Sequence, residues 1–243
     1  MKVLVTGGQG MLGRPLVERL RARGHEARAA GRRGPVKVDL TTGEGLEAAV
    51  EGVDAIVNCA TNPLGRNARE VEVEGTARLL QAARRAGTGH LVYVSIVGVD
   101  RLPYSYYEYK VHAEKVVEHA GVPWSTLRAT QFFPFVEKLL TLPPVLLAPR
   151  GFRLQPVAVE EVAERLVRAL DEGPAARLPD FAGPQVRELA DLARSLRDAR
   201  GLRRPLLRPW LPGRLARAVS EGALISAGAE RGTLGWEAWL AGS

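Results

Sequence analysis

One cysteine, four histidines and two methionines in 243 residues leave little soft-ligand chemistry. The lone Cys59 excludes an internal disulfide framework and any multi-cysteine metal site. It sits within Ile56-Val57-Asn58-Cys59-Ala60, where burial as a small apolar side chain is the expectation. Among the histidines only His112 and His119 can share a helix face, with no clustered carboxylate, so no metal is expected. Lysine is scarce too, contributing five of the 34 basic residues. The net charge of +7 would suit a polyanionic partner. The arginines are dispersed, however, and the skew matches a composition rich in Ala, Gly and Leu, so nucleic acid is not an expected partner. No uncharged apolar run approaches the ~18 residues of a membrane span. The nearest, Phe132 to Ala148, is broken by Glu137, Lys138 and three prolines. The amino terminus shows no apolar signal region, and a cytoplasmic location is expected.

What remains is a chain with 46% hydrophobic residues, enough for a full core in one domain over 1–243. It opens with Lys2-Val3-Leu4-Val5-Thr6-Gly7-Gly8-Gln9-Gly10-Met11-Leu12-Gly13. Val3 to Val5 reads as a strand buried on both faces, as in a parallel sheet. Gly7 permits a tight turn, Gly10 a close backbone approach to phosphate, and Gly13 close packing of the next helix on the strand. A helix starting there, with the stripe Leu12, Leu16, Val17 and Leu20, offers N–H groups and a partial positive charge to a pyrophosphate. Gly7, Gly10, Met11, Leu12 and Gly13 are therefore the first expected contacts to a dinucleotide.

Strands and helices then alternate. Strands are expected at Glu26–Ala30, Val36–Val38, Val53–Ala60, His90–Ser95 and Trp124–Arg128. Helices are expected up to Arg23, at Leu46–Glu51, Glu70–Ala86 and Tyr106–His119, then at Val159–Leu170 and Arg187–Arg200. Such alternation implies an α/β fold with a doubly wound parallel sheet, the Rossmann architecture, followed by a small carboxy-terminal substrate-pocket region within about 129–243. The stretch Phe132 to Leu147 is either core or the wall of that pocket. Trp210, Trp236 and Trp239 carry the same two readings. Arg194, Arg197, Arg200, Arg203, Arg204 and Arg208 form a basic helix flank, read as a solvated face or as a contact to anionic lipid or RNA.

A carboxylate after the second strand would bind the ribose hydroxyl of NAD. This chain has Gly31-Arg32-Arg33 there, and two guanidinium groups suit a 2′-phosphate, so NADP is expected over NAD. Asp39 and Leu40, ending the third strand, would lie beside the adenine, and Ala60 and Thr61 would close the fourth strand's end. Ser95 ends the fifth strand. Tyr106 and Lys110 follow at i and i+4, on one face of a helix. An ammonium beside a phenol would bring its pKa towards the working range, and Lys110 could also reach the nicotinamide ribose. Ser95 could polarise a carbonyl oxygen.

The glycine turn together with Tyr106 and Lys110 resembles the short-chain dehydrogenase/reductase superfamily, with the Gly-x-x-Gly-x-x-Gly spacing of its extended and atypical branches. The segments Tyr93–Asp100, Leu127–Phe133 and Gln155–Val159 resemble the NmrA-like, NAD(P)H-binding group. The resemblance implies a Rossmann domain, NADP(H), and reduction of a carbonyl or activated double bond in a small substrate. It equally admits a protein that binds the cofactor without turning it over, as a redox sensor or scaffold. Family enzymes often place the catalytic serine one or two residues past the strand, where this chain has Ile96 and Val97. A homo-oligomer is left open by the sequence.

Overall fold

The structure is a computed structural model that describes residues 1–63, 65–142 and 144–242. Its centre is a nine-stranded sheet whose recorded pairings are all parallel. The first six strands are β1 (Lys2–Thr6), β2 (Glu26–Gly31), β3 (Val36–Lys37), β4 (Ala55–Asn58), β5 (His90–Ile96) and β6 (Trp124–Ala129). They lie in the order β3-β2-β1-β4-β5-β6, the arrangement of a dinucleotide-binding sheet. Later short strands extend the β6 edge: β7 (Ala176–Arg177) and β8 (Phe181–Ala182) both pair with β6, and β9 (Glu230–Arg231) pairs with β8.

Alternation along the strands builds two cores. Val3, Val5, Val57, Val92 and Leu127 face α1 (Gly13–Ala22) and α6 (Val159–Glu172), meeting Leu16, Leu20, Val162 and Leu166. Leu4, Ile56, Leu91 and Tyr93 face the other way, against α2 (Leu46–Val50), α3 (Gly75–Arg85) and α4 (Ser105–Glu118). A strand whose consecutive residues are all buried needs cover on both faces, which is why these runs are continuously apolar. Each fully buried Leu or Val contributes about 1.5–3 kcal/mol.

The sequence-derived boundaries hold within a residue or two at most places, with β4 shorter at each end than expected. The helix expected from Glu70 differs in kind, because its first segment, Glu70–Glu74, is π-helical before α3 begins. A π segment widens the backbone by one residue per turn and recurs at functional sites. Within it Glu72 is fully buried.

A third core lies in the carboxy-terminal half. Phe133, Val136 and Leu140 of α5 (Phe133–Thr141) pack with Leu192 and Leu196 of α7 (Leu189–Ala199) and Leu240 of α8 (Trp236–Gly242). Phe133 meets Trp236 edge-on with ring centroids 5.5 Å apart, and Trp236 stacks on Trp239 at 5.2 Å. Trp236 is 2% exposed while Trp210 is 73% exposed. Trp236 and Trp239 thus belong to this core, whereas Trp210 lies in neither the core nor the lining of the cavities described below.

The basic flank is distributed among carboxylates: Arg194 pairs with Asp191, Arg197 with Asp198, Arg200 with Glu137 and Arg208 with Glu188. That pattern supports a solvated face. Among the described residues no helix is long and apolar enough to cross a membrane.

Candidate cofactor cleft and catalytic pair

Gly7 has φ of +64°, a conformation that favours glycine, and a Cβ built there would sit 2.8 Å from the Ala60 Cα. At Gly13 an added Cβ would collide with the Gly7 carbonyl oxygen and the Gly8 Cα. The turn is closed by Gly10 N–H donating to the Gly7 carbonyl at 2.8 Å and by Arg14 N–H donating to Gly10 at 3.2 Å. The backbone is packed so tightly that side chains cannot enter, the geometry needed for phosphates to approach main-chain N–H groups. Gly13→Ala is therefore expected to destabilise the fold by about 1–3 kcal/mol through overpacking. Urea unfolding measures it, and a change below about 0.5 kcal/mol would show that the loop can relax.

Beside the turn a cleft of about 200 Å³ opens at the carboxyl ends of β1, β2 and β4. Of the expected contacts, Gly7, Arg32, Asp39, Leu40, Ala60 and Thr61 line it. Arg33 is exposed outside the lining, Leu12 is buried in the first core, and Met11 is largely exposed. The floor is fixed by Asn58, which accepts from the Thr6 hydroxyl at 2.6 Å and donates to the Thr76 hydroxyl at 3.1 Å. Asp39 accepts from the Thr41 hydroxyl at 2.6 Å and its N–H at 2.8 Å. The Thr41 hydroxyl holds the Asp39 carboxyl below its usual range against the effect of burial, and Arg32 adds to the lowering. Asp39 thus keeps a charge-bearing, fixed orientation at the cleft rim.

Tyr106 and Lys110 lie on successive turns of α4 and both are buried. The Tyr106 hydroxyl is 2.7 Å from the Thr61 hydroxyl. Lys110 Nζ donates to the Val94 carbonyl at 2.7 Å and to Glu72 Oε2 at 3.2 Å, and rests 4.3 Å from the Tyr93 ring centroid. The Thr61 hydroxyl also donates to Glu72 Oε1. The expectation that Lys110 would lower the Tyr106 pKa is corrected here. Burial, followed by the Glu72 charge, pushes the Tyr106 phenol well above the ordinary tyrosine range. The ammonium faces a carboxylate at close range, so its field at the phenol is largely cancelled.

Ser95 is enclosed on the same face of β5 as Tyr93, with its hydroxyl outside good hydrogen-bonding geometry to any described group. The charged side chain it faces is Glu114, which burial pushes up but the Arg128 guanidinium holds below its usual range. Arg128 grips Glu114 through two hydrogen bonds of 2.8 and 2.7 Å. Cys59 has its thiol pushed up to about 12 by burial despite the nearby Lys110, leaving it an inert apolar side chain.

A second cavity, of about 380 Å³, is bounded by Leu102, Tyr104, Tyr107, Phe152, Leu215 and their neighbours. Its lining carries no charged side chain, and Tyr107 touches Tyr106 with ring centroids 5.8 Å apart. None of its lining residues falls within Phe132–Leu147. Phe133, Val136, Leu140 and Leu146 of that stretch lie in the third core, Phe132 packs against the first, and Leu139, Leu142 and Leu147 are exposed.

A phosphate-sized glycine cradle and a cleft at the strand ends where the sheet order reverses define an NAD(P)-binding Rossmann protein. The model of the NAD dependent epimerase/dehydratase family matches residues 3–99. An uncharacterized protein of Mycobacterium tuberculosis is 32% identical over 194 residues, covering 72% of this chain but 21% of that protein. The chain thus spans about a fifth of the length of such relatives. A 3-beta-hydroxysteroid dehydrogenase of Mycolicibacterium neoaurum is 34% identical over 154 residues, 48% of this chain and 42% of that one. Among solved structures, the NADPH-dependent quinone oxidoreductase QOR2 of Escherichia coli, complexed with NADPH, superposes with TM-score 0.79 and 17% identity, over 99% of both chains. The epimerase/dehydratase pattern thus covers the amino-terminal part of the chain, and the likeness to solved structures gives the fold of the whole.

Proposed function

We propose that the protein is an NADPH-dependent reductase of a small apolar carbonyl compound or activated double bond. The observation that carries this reading is the buried Tyr106, one helical turn from Lys110, whose hydroxyl meets that of Thr61 in the lining of the cleft. When bound, the cofactor would supply a hydride. Gly7, Gly10 and Gly13 would hold its pyrophosphate, Asp39 and Leu40 its adenine end, and Arg32 its 2′-phosphate. Tyr106 gives a proton to the substrate oxygen, and Lys110 stands within the same site to orient the ribose. The uncharged cavity beside Tyr107 favours an apolar substrate, since a phosphorylated sugar would leave its charges unpaired there. Ser95, enclosed near Glu114, is the weakest member of the expected set, so a backbone donor is the better candidate to polarise the oxygen.

The enclosed Ser95 also favours a second reading, a cofactor-dependent redox sensor that binds NADP(H) without turning it over. NADPH consumption across a panel of apolar quinones, ketones and enones separates the two. Consumption with any of them supports the reductase, whereas tight binding with no turnover across the panel supports the sensor.

Arg32→Ala tests the cofactor assignment. At a hundredfold excess over Kd, NADPH should stabilise the wild type by about 2.7 kcal/mol in a thermal shift. Loss of one charge-assisted contact, about 1.5–3 kcal/mol, should weaken NADPH by about tenfold or more and leave NADH nearly unchanged. A larger shift with NADH than with NADPH in the wild type would overturn the choice of NADP.

A further inference from the structure

Outside the expected pair, the fully buried Glu72 accepts hydrogen bonds from three directions. Its Oε2 receives Lys110 Nζ at 3.2 Å and the Tyr93 hydroxyl at 3.1 Å. Its Oε1 receives the Thr61 hydroxyl, which in turn contacts the Tyr106 hydroxyl at 2.7 Å. Glu72 lies within the π-helical segment. A carboxylate in such surroundings is costly unless every oxygen is engaged, and here both are.

We propose that Glu72 is the positioning residue of the site, locking Lys110 from one carboxylate oxygen and Tyr106, through Thr61, from the other. It contacts neither substrate nor cofactor in this role. The proposal rests on the reading of Tyr106 as the proton donor. The groups facing it are Tyr93 from β5, Thr61 and Cys59 from the chain after β4, and Tyr106 and Lys110 from α4, with Glu114 one turn beyond Lys110. Lys110 is the only cation in that set, and Glu72 is the carboxylate it pairs with. Tyr106 therefore meets the Glu72 charge and not an unopposed ammonium, and burial together with that charge keeps it protonated. Tyr93, held by the same carboxylate, is pushed up as well, first by burial and then by Glu72.

Glu72→Gln keeps the shape and an acceptor oxygen but removes the charge. Near-ultraviolet tyrosinate absorbance of the full chain, followed against pH, reads the consequence without any turnover. With the ammonium unopposed, Tyr106 and Tyr93 should both begin to ionise about one to three pH units earlier than in the wild type. In Glu72→Gln/Tyr106→Phe the Tyr106 share of that increment should be lost and the Tyr93 share remain. Superimposable curves for wild type and Glu72→Gln, or an increment undiminished by Tyr106→Phe, overturn the proposal.

Thr61→Val covers the case where Glu72→Gln does not fold, because it leaves the ion pair intact and cuts the Tyr106 arm alone. Acetylation of Tyr106 by N-acetylimidazole, followed by mass spectrometry, should then quicken several-fold. An unchanged rate overturns the proposal. Neither readout uses NADPH oxidation, so an inactive protein with a displaced curve rejects the reductase reading and retains this one.

Discussion

Tyr106→Phe should lower NADPH oxidation by about 100- to 10,000-fold if Tyr106 is the proposed proton donor, the range for loss of a positioned general acid. The ring stays, and so does its contact with Tyr107, so the cavity keeps its wall. Only the hydroxyl and its link to Thr61 disappear, at a stability cost of about 1 kcal/mol. NADPH affinity, read by fluorescence titration, should therefore change little while kcat falls. The pH profile carries a second, independent expectation. Burial first, then Glu72, raises the phenol pKa, and a group so raised stays protonated until pH climbs through the raised value. The proton donor is thus present throughout the neutral range and up to the ordinary tyrosine pKa of about 10. An alkaline limb with its midpoint near pH 8 would have to belong to another group. Equal kcat/KM for Tyr106→Phe and wild type would falsify the acid role.

The parts of this site that the sequence discloses are those written in short spacings. Gly7, Gly10 and Gly13 are three apart, and Tyr106 and Lys110 share one helical turn, so a local pattern suffices to place them. The alternating apolar runs disclose the sheet for the same reason, since burial on both faces leaves strands such as Val53–Ala60 without polar interruption. Glu72 was not legible. Its partners stand 11, 21 and 38 residues away in the chain, and Glu70-Val71-Glu72-Val73-Glu74 looks like an exposed helical flank. Of its three similar glutamates, all in the π-helical segment, only Glu72 is buried. A clue existed in hindsight: an ordinary amphipathic helix does not alternate charged and apolar residues at period two.

The carboxy-terminal half failed for a different reason. Phe132 to Leu147 is apolar without a clear period, and composition does not distinguish a pocket wall from a core that happens to lie under short strands. What decides is the partner, and Phe133 finds Trp236 more than one hundred residues later. The apolar cavity instead draws on Leu102 to Tyr107, Phe152 and Leu211 to Leu224, three segments that no sequence window unites.

Lys110→Met should destabilise the protein by about 3–5 kcal/mol, because it strands Glu72 in the interior without its counter-charge. Both partners are almost wholly enclosed, with side-chain exposures of 4% for Lys110 and 0% for Glu72. Solvent therefore does little to screen the loss, in contrast to exposed pairs such as Arg85–Glu47. The Val94 carbonyl loses its ammonium donor in the same substitution. Urea unfolding should show a lower midpoint at an unchanged slope, the sign of a stability change rather than a change in the unfolded state. Removing the partner as well should reverse the effect: Lys110→Met/Glu72→Leu is expected to recover most of the loss, since a buried pair replaced whole by apolar groups is often neutral or stabilising. A single-variant loss under about 1 kcal/mol, or a double variant no better than the single, would show that the pair is not closed in solution. The double variant also sharpens the chemistry. Where stability returns but NADPH oxidation does not, the charged pair matters to the reaction beyond its part in stability; where both return, neither Lys110 nor Glu72 is needed for turnover.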